Sequence, residues 1–202
     1  MRTITLVEFV SLDGVVQAPG GPDEDTSGGF TCGGWTAPYF DEFAGQVMEK
    51  QMSLEQAELL LGRETYEIFA GYWPHHADDW PGINTVRKYV VSRNSALNLS
   101  WDNSELVSGD VVEEVKALKR SGGPDLRVWG SCNLAQTLLK HDLVDALWLK
   151  IFPVTLGPGK RLFAEGAIPV AFTLVDIKVS PLGVIVASFE RAGEVTTGSL
   201  SG

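Results

Sequence analysis

Apolar residues along the chain fall into short, dense runs separated by turn residues, with amphipathic stretches between them. Ile4, Leu6, Val7, Phe9 and Val10 form a nearly continuous run, the pattern of a strand buried on both faces. It ends at Ser11-Leu12-Asp13-Gly14. Leu59-Leu60-Leu61, Lys88–Ser92, Leu106-Val107, the run Leu126, Val128 and Trp129, and Ala146–Val154 read as further strands. Phe172–Val179 and Val184–Phe189 flank Ser180-Pro181-Leu182-Gly183 and predict a hairpin. Helical spacing appears in four places. Pro38 to about Met52 carries Phe40, Phe43 and Val47 on one stripe. A second helix follows Gly62 and carries Tyr66, Phe69 and Ala70. Asp110 caps a third that stops at Gly122-Gly123, and Leu134, Thr137 and Leu138 mark a fourth. Strands alternating with helices predict an α/β fold: a mostly parallel central sheet flanked by helices, with a C-terminal antiparallel hairpin at an edge. Residues 1–191 form a single domain in this reading, and 192–202 a flexible tail.

Two junctions share one design. Leu59–Leu61 runs into Gly62-Arg63-Glu64-Thr65, and Leu126–Trp129 runs into Gly130-Ser131-Cys132-Asn133. A strand, a glycine turn and a helix start aim backbone N–H groups and the positive end of a helix dipole at one spot, which suits phosphate. An ordinary βα turn has the same look. In open parallel sheets ligands collect at the carboxyl ends of the strands. Four such ends carry suggestive residues: Ser11-Asp13-Gly14, Gly62-Arg63-Thr65, Ser92-Arg93 and Gly130-Ser131. Residues 17–35 are rich in glycine and proline with an acidic run, and read as a candidate lid.

Composition narrows the function. The 202 residues are 44% hydrophobic and carry 16 Lys+Arg against 26 Asp+Glu, a net charge of −10. Such a surface argues against nucleic acid as a partner but not against a small anionic ligand held by a local field. No apolar run reaches the length of a membrane span. The two cysteines, Cys32 and Cys132, lack framework spacing, which fits a cytoplasmic protein. His75-His76 with Asp78-Asp79 lack the spacing of metal motifs, so no metal is expected.

Taken together these segments resemble the dihydrofolate reductase-like superfamily. The closer similarity is to the C-terminal reductase domain of the bacterial bifunctional deaminase-reductase of riboflavin synthesis, as a stand-alone relative. The carriers are SLDG at 11–14, LLLGRETYE at 59–67, VVSRN at 90–94, VWGSCNLAQTLL at 128–139 and LVDALWLKIFPVTLGPGKRLF at 143–163, in family order. The resemblance implies an NADPH-dependent reductase acting on a pterin-like or ribosylamino-pyrimidine-like heterocycle. It would be an oxidoreductase of 5-amino-6-ribosylaminouracil reductase or dihydrofolate reductase type. No zinc signature of the deaminase partner domain occurs.

The resemblance also implies site residues. Gly62, Arg63 and Thr65 would meet the dinucleotide phosphates, Ser92 and Arg93 the adenosine 2′-phosphate, and Gly130, Ser131, Cys132 and Asn133 the pyrophosphate. Val10, Asp13 and Gly14 would approach the nicotinamide. Many relatives carry a glycine where this chain has Cys132. Asp41, at the start of the first helix after Trp35 and Pro38, stands near the family's substrate carboxylate. Asp13 and Asp41 are the candidate catalytic acids, each alternatively a turn or helix-start residue. Trp35 and Trp73 are the tryptophans expected near substrate. Lys160-Arg161 reads as structural or as a subunit contact. Relatives often dimerise through sheet edges, which leaves a homodimer as an open expectation. A binding protein without turnover, on the same scaffold, is the competing reading.

Overall fold

The computed structural model describes residues 1–164 and 167–200. Strands β1 (Ile4–Ser11), β2 (Ala57–Gly62), β3 (Lys88–Val91), β4 (Ser104–Val107), β5 (Asp125–Trp129), β6 (Ala146–Phe152), β7 (Ala171–Val179) and β8 (Ile185–Gly193) form one sheet. Their order is β4-β3-β2-β5-β1-β6-β8-β7. Every pair from β4 to β6 is parallel. β8 runs antiparallel to both β6 and β7. The expected α/β sheet with its terminal antiparallel hairpin is therefore present.

The helices are α1 (Glu42–Met52), α2 (Arg63–Tyr72), α3 (Val111–Arg120) and α4 (Cys132–Lys140). Alternation along the strands assigns them to faces. Leu60 points with Ile4, Leu6, Leu126 and Val128 into a core closed by Val115 of α3 and by Leu134, Ala135 and Leu138 of α4. Leu59 and Leu61 point the other way, to Val7, Trp129 and Trp80, where Tyr66 of α2 and Met48 and Met52 of α1 cover them. All three leucines are fully buried. That explains a leucine run without alternation, and truncating any of them to alanine costs about 2–5 kcal/mol.

Three boundaries differ from the sequence expectation. The first helix does not begin at Pro38. Ala37–Tyr39 makes one tight turn, Phe40 is extended, and the Asp41 carboxylate accepts from Ala44 N at 2.7 Å, so α1 starts at Glu42. A capping carboxylate satisfies the first helical N–H groups and fixes the start there. β6 stops at Phe152, two residues early, before Pro153, which has no N–H for a ladder. β8 continues to Gly193, which pairs with Ala171, so the sheet extends past residue 191. Residues 194–200 form no helix or strand. The edge strand β7 leaves Val175, Ile177 and Val179 more than half exposed. No helix among the described residues is long and apolar enough to cross a membrane.

Candidate active site

β5 lies between β2 and β1, yet it leads to α4 on one face while β2 and β1 lead to α2 and α1 on the other. Helices leaving in opposite directions open a crevice at the carboxyl ends of these strands. A cleft of about 1490 Å³ lies there. Both predicted glycine turns line it, and they touch. Ser131 Oγ accepts from Gly62 N at 2.8 Å. A Cβ on Gly62 would meet the Ser131 side chain at 3.2 Å, so a larger residue there would press on the second turn. Gly130 has φ 57° and Ser131 has φ 64°; two successive left-handed residues turn the chain sharply into α4.

Neither α2 nor α4 has a side-chain cap, whereas Asp41 caps α1 and Asp110 caps α3. Both uncapped helix starts face the cleft, and the first residue of the capped α3, Val111, lines it as well. The free N–H groups of the uncapped pair leave a paired donor array with the positive end of each dipole behind it. Gly62 N itself is committed to Ser131.

The other sequence candidates divide. Thr65, Ser92, Arg93, Cys132 and Asn133 line the cleft with the glycine turns. Ser92 is buried, and its Oγ accepts from Asn94 N, which shapes the turn that presents Arg93. Among the described residues Arg93 has no hydrogen bond or ion pair, and its side chain is exposed. Arg63 is engaged: its guanidinium reaches Glu67 at 2.7 Å and Glu64 at 3.4 Å. The Cys132 thiol is pushed up to about 11, first by burial and then by the Glu8 charge, so it stays a thiol. Gln136 Nε2 donates to its sulfur at 3.3 Å.

Val10, Asp13 and Gly14 do not line the cleft. Val10 is packed in the α3–α4 core. The Asp13 carboxylate accepts from Leu156 N at 3.1 Å, Gly157 N at 2.8 Å and Ser11 Oγ at 2.6 Å. The Ser11 hydrogen bond, with those backbone donors, holds its carboxyl down to about 2. Asp13 and Gly14 thus tie the end of β1 to the 154–162 loop, and a carboxylate so engaged is a poor proton donor. Asp41 is also outside the lining. Its Oδ1 caps α1, and its Oδ2 is buried without a partner among the described residues.

Trp35 is buried against Phe152, with ring centroids 5.2 Å apart, and donates Nε1–H to Gln17 O at 2.8 Å. It anchors the 17–35 segment rather than facing the cleft. Gln17 Nε2 donates to Asp25 O and Ser27 O, and Thr36 Oγ1 to Pro19 O. Lys160 Nζ pairs with Asp25 at 2.6 Å. The expected lid is therefore a wall pinned at several points, with Gln17, Glu24 and Asp25 on the cleft. Lys160 belongs to that wall. Trp73 does line the cleft, edge-on to Trp80 at 4.9 Å. Below it His76 stacks on Tyr72 and faces solvent.

The cleft has two chemical halves. One is the polar end between the helix starts. The other is an apolar slot of Phe9, Phe40, Met48, Met52, Trp73 and Trp129. Behind it Lys150 is buried with Nζ 4.8 Å from the Phe9 ring centroid and 5.2 Å from that of Trp129. Burial brings Lys150 down to about 7. Among the described residues neither Lys150 Nζ nor Trp129 Nε1 has a hydrogen-bond partner.

The profile of the RibD C-terminal domain matches residues 2–186. The chain belongs to that family. It is 27% identical over 194 residues to the uncharacterized protein YyaP of Bacillus subtilis (strain 168), covering 91% of this chain and 92% of that protein. A crystal structure described as a riboflavin biosynthesis protein from Shewanella sp. PV-4 superposes with TM-score 0.66 at 23% identity, over 94% of this chain and 99% of that one. A pyrimidine reductase-like protein from Corynebacterium diphtheriae gives 0.59 at 14%, over 96% and 93%. Dihydrofolate reductase from Enterococcus faecalis, complexed with NADP(H), gives 0.58 at 14%, over 94% and 96%. The fold is dihydrofolate reductase-like.

In this RibD C-terminal domain the cleft residues that sequence reasoning missed include Glu8 and Phe9 of β1, Met48 and Met52 of α1, and Trp129 at the end of β5. Glu8 was the available signal: a carboxylate inside an otherwise apolar strand that is buried on both faces costs stability unless it serves a site. Lys150, in the middle of β6, is a second charge of the same kind.

Proposed function

We propose that this chain is an NADPH-dependent reductase of a flat nitrogen heterocycle of the pterin or ribosylamino-pyrimidine class. The observation that carries it is the pair of uncapped helix starts, joined by the Gly62–Ser131 hydrogen bond, next to an aromatic slot in the same cleft. One half fits a dinucleotide and the other a flat ring. Membership of the family, and likeness to solved proteins described as a pyrimidine reductase-like protein and as dihydrofolate reductase with NADP(H), support the same reading.

The residues present fit the cofactor. Backbone N–H groups at Arg63–Thr65 and Cys132–Asn133 would take its phosphates, at the two helix starts that follow Gly62 and Gly130. Arg93 would take the 2′-phosphate, for which a planar guanidinium is suited. Bound there, NADPH supplies the hydride; the protein's part is orientation, exclusion of water and handling of a proton. Phe9, Trp73 and Trp129 would hold the heterocycle by its faces. Cys132, where many relatives carry glycine, turns its sulfur toward Gln136 and Arg161 O. The backbone at the start of α4 is thereby left open.

Tryptophan fluorescence tests the shared step, since Trp73, Trp80 and Trp129 line the cleft. NADPH is expected to quench it. Loss of absorbance at the nicotinamide band with pterins and ribosylamino-pyrimidines tests turnover. Quenching without consumption across both classes would favour a binding protein, and no quenching would remove the nucleotide reading altogether.

A further inference from the structure

We propose that Lys150 reads the bound ring: its Nζ donates to an oxo oxygen of the heterocycle, so the slot prefers a ring that presents a carbonyl acceptor to the β1–β6 wall. This rests on the reading above that the aromatic slot holds the ring. Sheet register sets the direction of the side chain. Lys150 pairs with Phe9 across β6 and β1, and Trp129 pairs with Val7 across β5 and β1. Paired residues of parallel neighbours share a face, and so do alternate residues of one strand. Lys150, Phe9 and Trp129 therefore leave the same side of the sheet, the side that Met48 and Met52 of α1 cover.

Lys150 is 3% exposed. Its Nζ lies 4.8 Å from the Phe9 ring centroid and 5.2 Å from that of Trp129, and both rings line the slot. A small void behind the slot has Lys150 on one wall and shares Phe9, Phe40 and Met48 with the slot. Nζ is thus one layer of side chains from the open slot, against the rings that a flat ligand would touch. It has no hydrogen bond or ion pair among the described residues. Glu8, whose charge acts on it, leaves β1 on the opposite face, where its register partner Leu149 packs into the α3–α4 core. Trp129 Nε1 is a second buried N–H without a partner among the described residues. Asp41 and Gln51 also carry buried unpartnered oxygens, but neither lines the slot or the void beside it.

These donors call for an acceptor that the wall does not supply. Contact with ring faces recovers only a small part of what an ammonium loses on leaving water. Protonated or neutral, the Lys150 nitrogen keeps N–H groups to be satisfied. The slot is walled by Phe, Met and Trp side chains, which offer no strong acceptor. The void holds about 10 Å³, at the lower limit for one water. A ligand carbonyl fills the need; an edge of amino groups sets donors against donors. The flexible lysine stem lets Nζ advance between the two rings to meet it.

The test uses the full chain and two rings of the same outline, pteridine-2,4-dione and 2,4-diaminopteridine, in which the oxo groups of one are amino groups in the other. Calorimetry should show the wild type binding the dione about 10- to 100-fold more tightly, the range of one charge-assisted hydrogen bond. Lys150→Met keeps the bulk of the stem and removes the donors. It should cut the preference to about threefold or less by weakening the dione, while NADPH quenching stays within about twofold. Its stability to denaturant should match or exceed the wild type's, because an unpaired buried ammonium gives way to an apolar chain. Lys150→Arg, which keeps a donor, should retain part of the preference. A wild-type chain with no preference, or with no affinity for either ring, would overturn the proposal. So would a Lys150→Met chain that keeps the preference, or one that loses stability and both rings equally, the mark of a structural role. NADPH that fails to quench while the Lys150-dependent preference stands would instead remove the reductase reading and leave this contact in place.

Discussion

Replacing Arg93 by alanine asks which arginine reads a 2′-phosphate. Arg63 and Arg93 both line the cleft, but their side chains are differently committed. Arg63 is held by Glu67 at 2.7 Å and Glu64 at 3.4 Å, so engaging a phosphate there means giving up local partners and bringing a dianion toward two carboxylates. Arg93 has neither obstacle among the described residues. A charge-assisted hydrogen bond to phosphate contributes about 1.5–3 kcal/mol, and exposure places Arg93 at the lower end. Arg93→Ala should therefore weaken NADP⁺ binding roughly 10- to 30-fold while leaving NAD⁺ within about twofold. Arg63→Ala should cost NADP⁺ no more than about threefold, because its lost contact is offset by release of an exposed i,i+4 ion pair worth about 0.3–0.5 kcal/mol. The assay is quenching of tryptophan fluorescence by each dinucleotide at low and high salt; the NADP⁺ preference should shrink as salt rises. Equal loss for both dinucleotides in Arg93→Ala, or a larger effect of Arg63→Ala, would refute the reasoning.

Other outcomes follow from the same geometry. Ser131→Ala should lower stability by about 1 kcal/mol in chemical denaturation, because Gly62 N loses its acceptor, and should weaken NADPH binding as the two turns separate. Asp13→Asn should lower the melting temperature at neutral pH but leave NADPH quenching unchanged, since its carboxylate serves the 156–157 backbone and not the cleft. Asp13 has its carboxyl lowered from 3.8 to about 2, so its contribution is present above about pH 4 and lost as pH falls through 2; the Asn variant should show no such acid step. Glu8 has the opposite sign: with its carboxyl raised from 4.5 to about 8, stability falls as pH rises between those values, and thermal melts of Glu8→Gln should flatten that slope. The exposed Val175, Ile177 and Val179 on the β7 edge are expected to be covered by a second copy. Ile177→Lys should then lower the mass seen by light scattering, and a wild-type chain monomeric at micromolar concentration would refute that expectation.

Periodicity and turn chemistry alone determined the strand and helix order, the parallel sheet with its antiparallel hairpin, and the two glycine turns at helix starts. Those signals are local: alternation, caps and glycine positions act within a few residues. The residues at Gly62–Thr65, Ser92-Arg93 and Gly130–Asn133 were legible for that reason, and all of them face the cleft except the shielded Gly62 N–H. Only the tertiary structure decided what the acids do. In the sequence Asp13 and Asp41 read either as catalytic acids or as turn and helix-start residues; in the fold backbone N–H groups, from residues 156–157 for Asp13 and Ala44 for Asp41, claim them. The 17–35 segment looks mobile, yet Trp35, Gln17 and Lys160 fix it through contacts made across the fold. Glu8 reads as one polar residue in an apolar strand. Its place in the cleft wall depends on β5 and β1 standing side by side while their helices leave on opposite faces, and no window of sequence contains that crossing. Hydrogen-bond partners and burial are properties of chain segments brought together over long separations, so the part played by each candidate acid had to wait for the packed molecule.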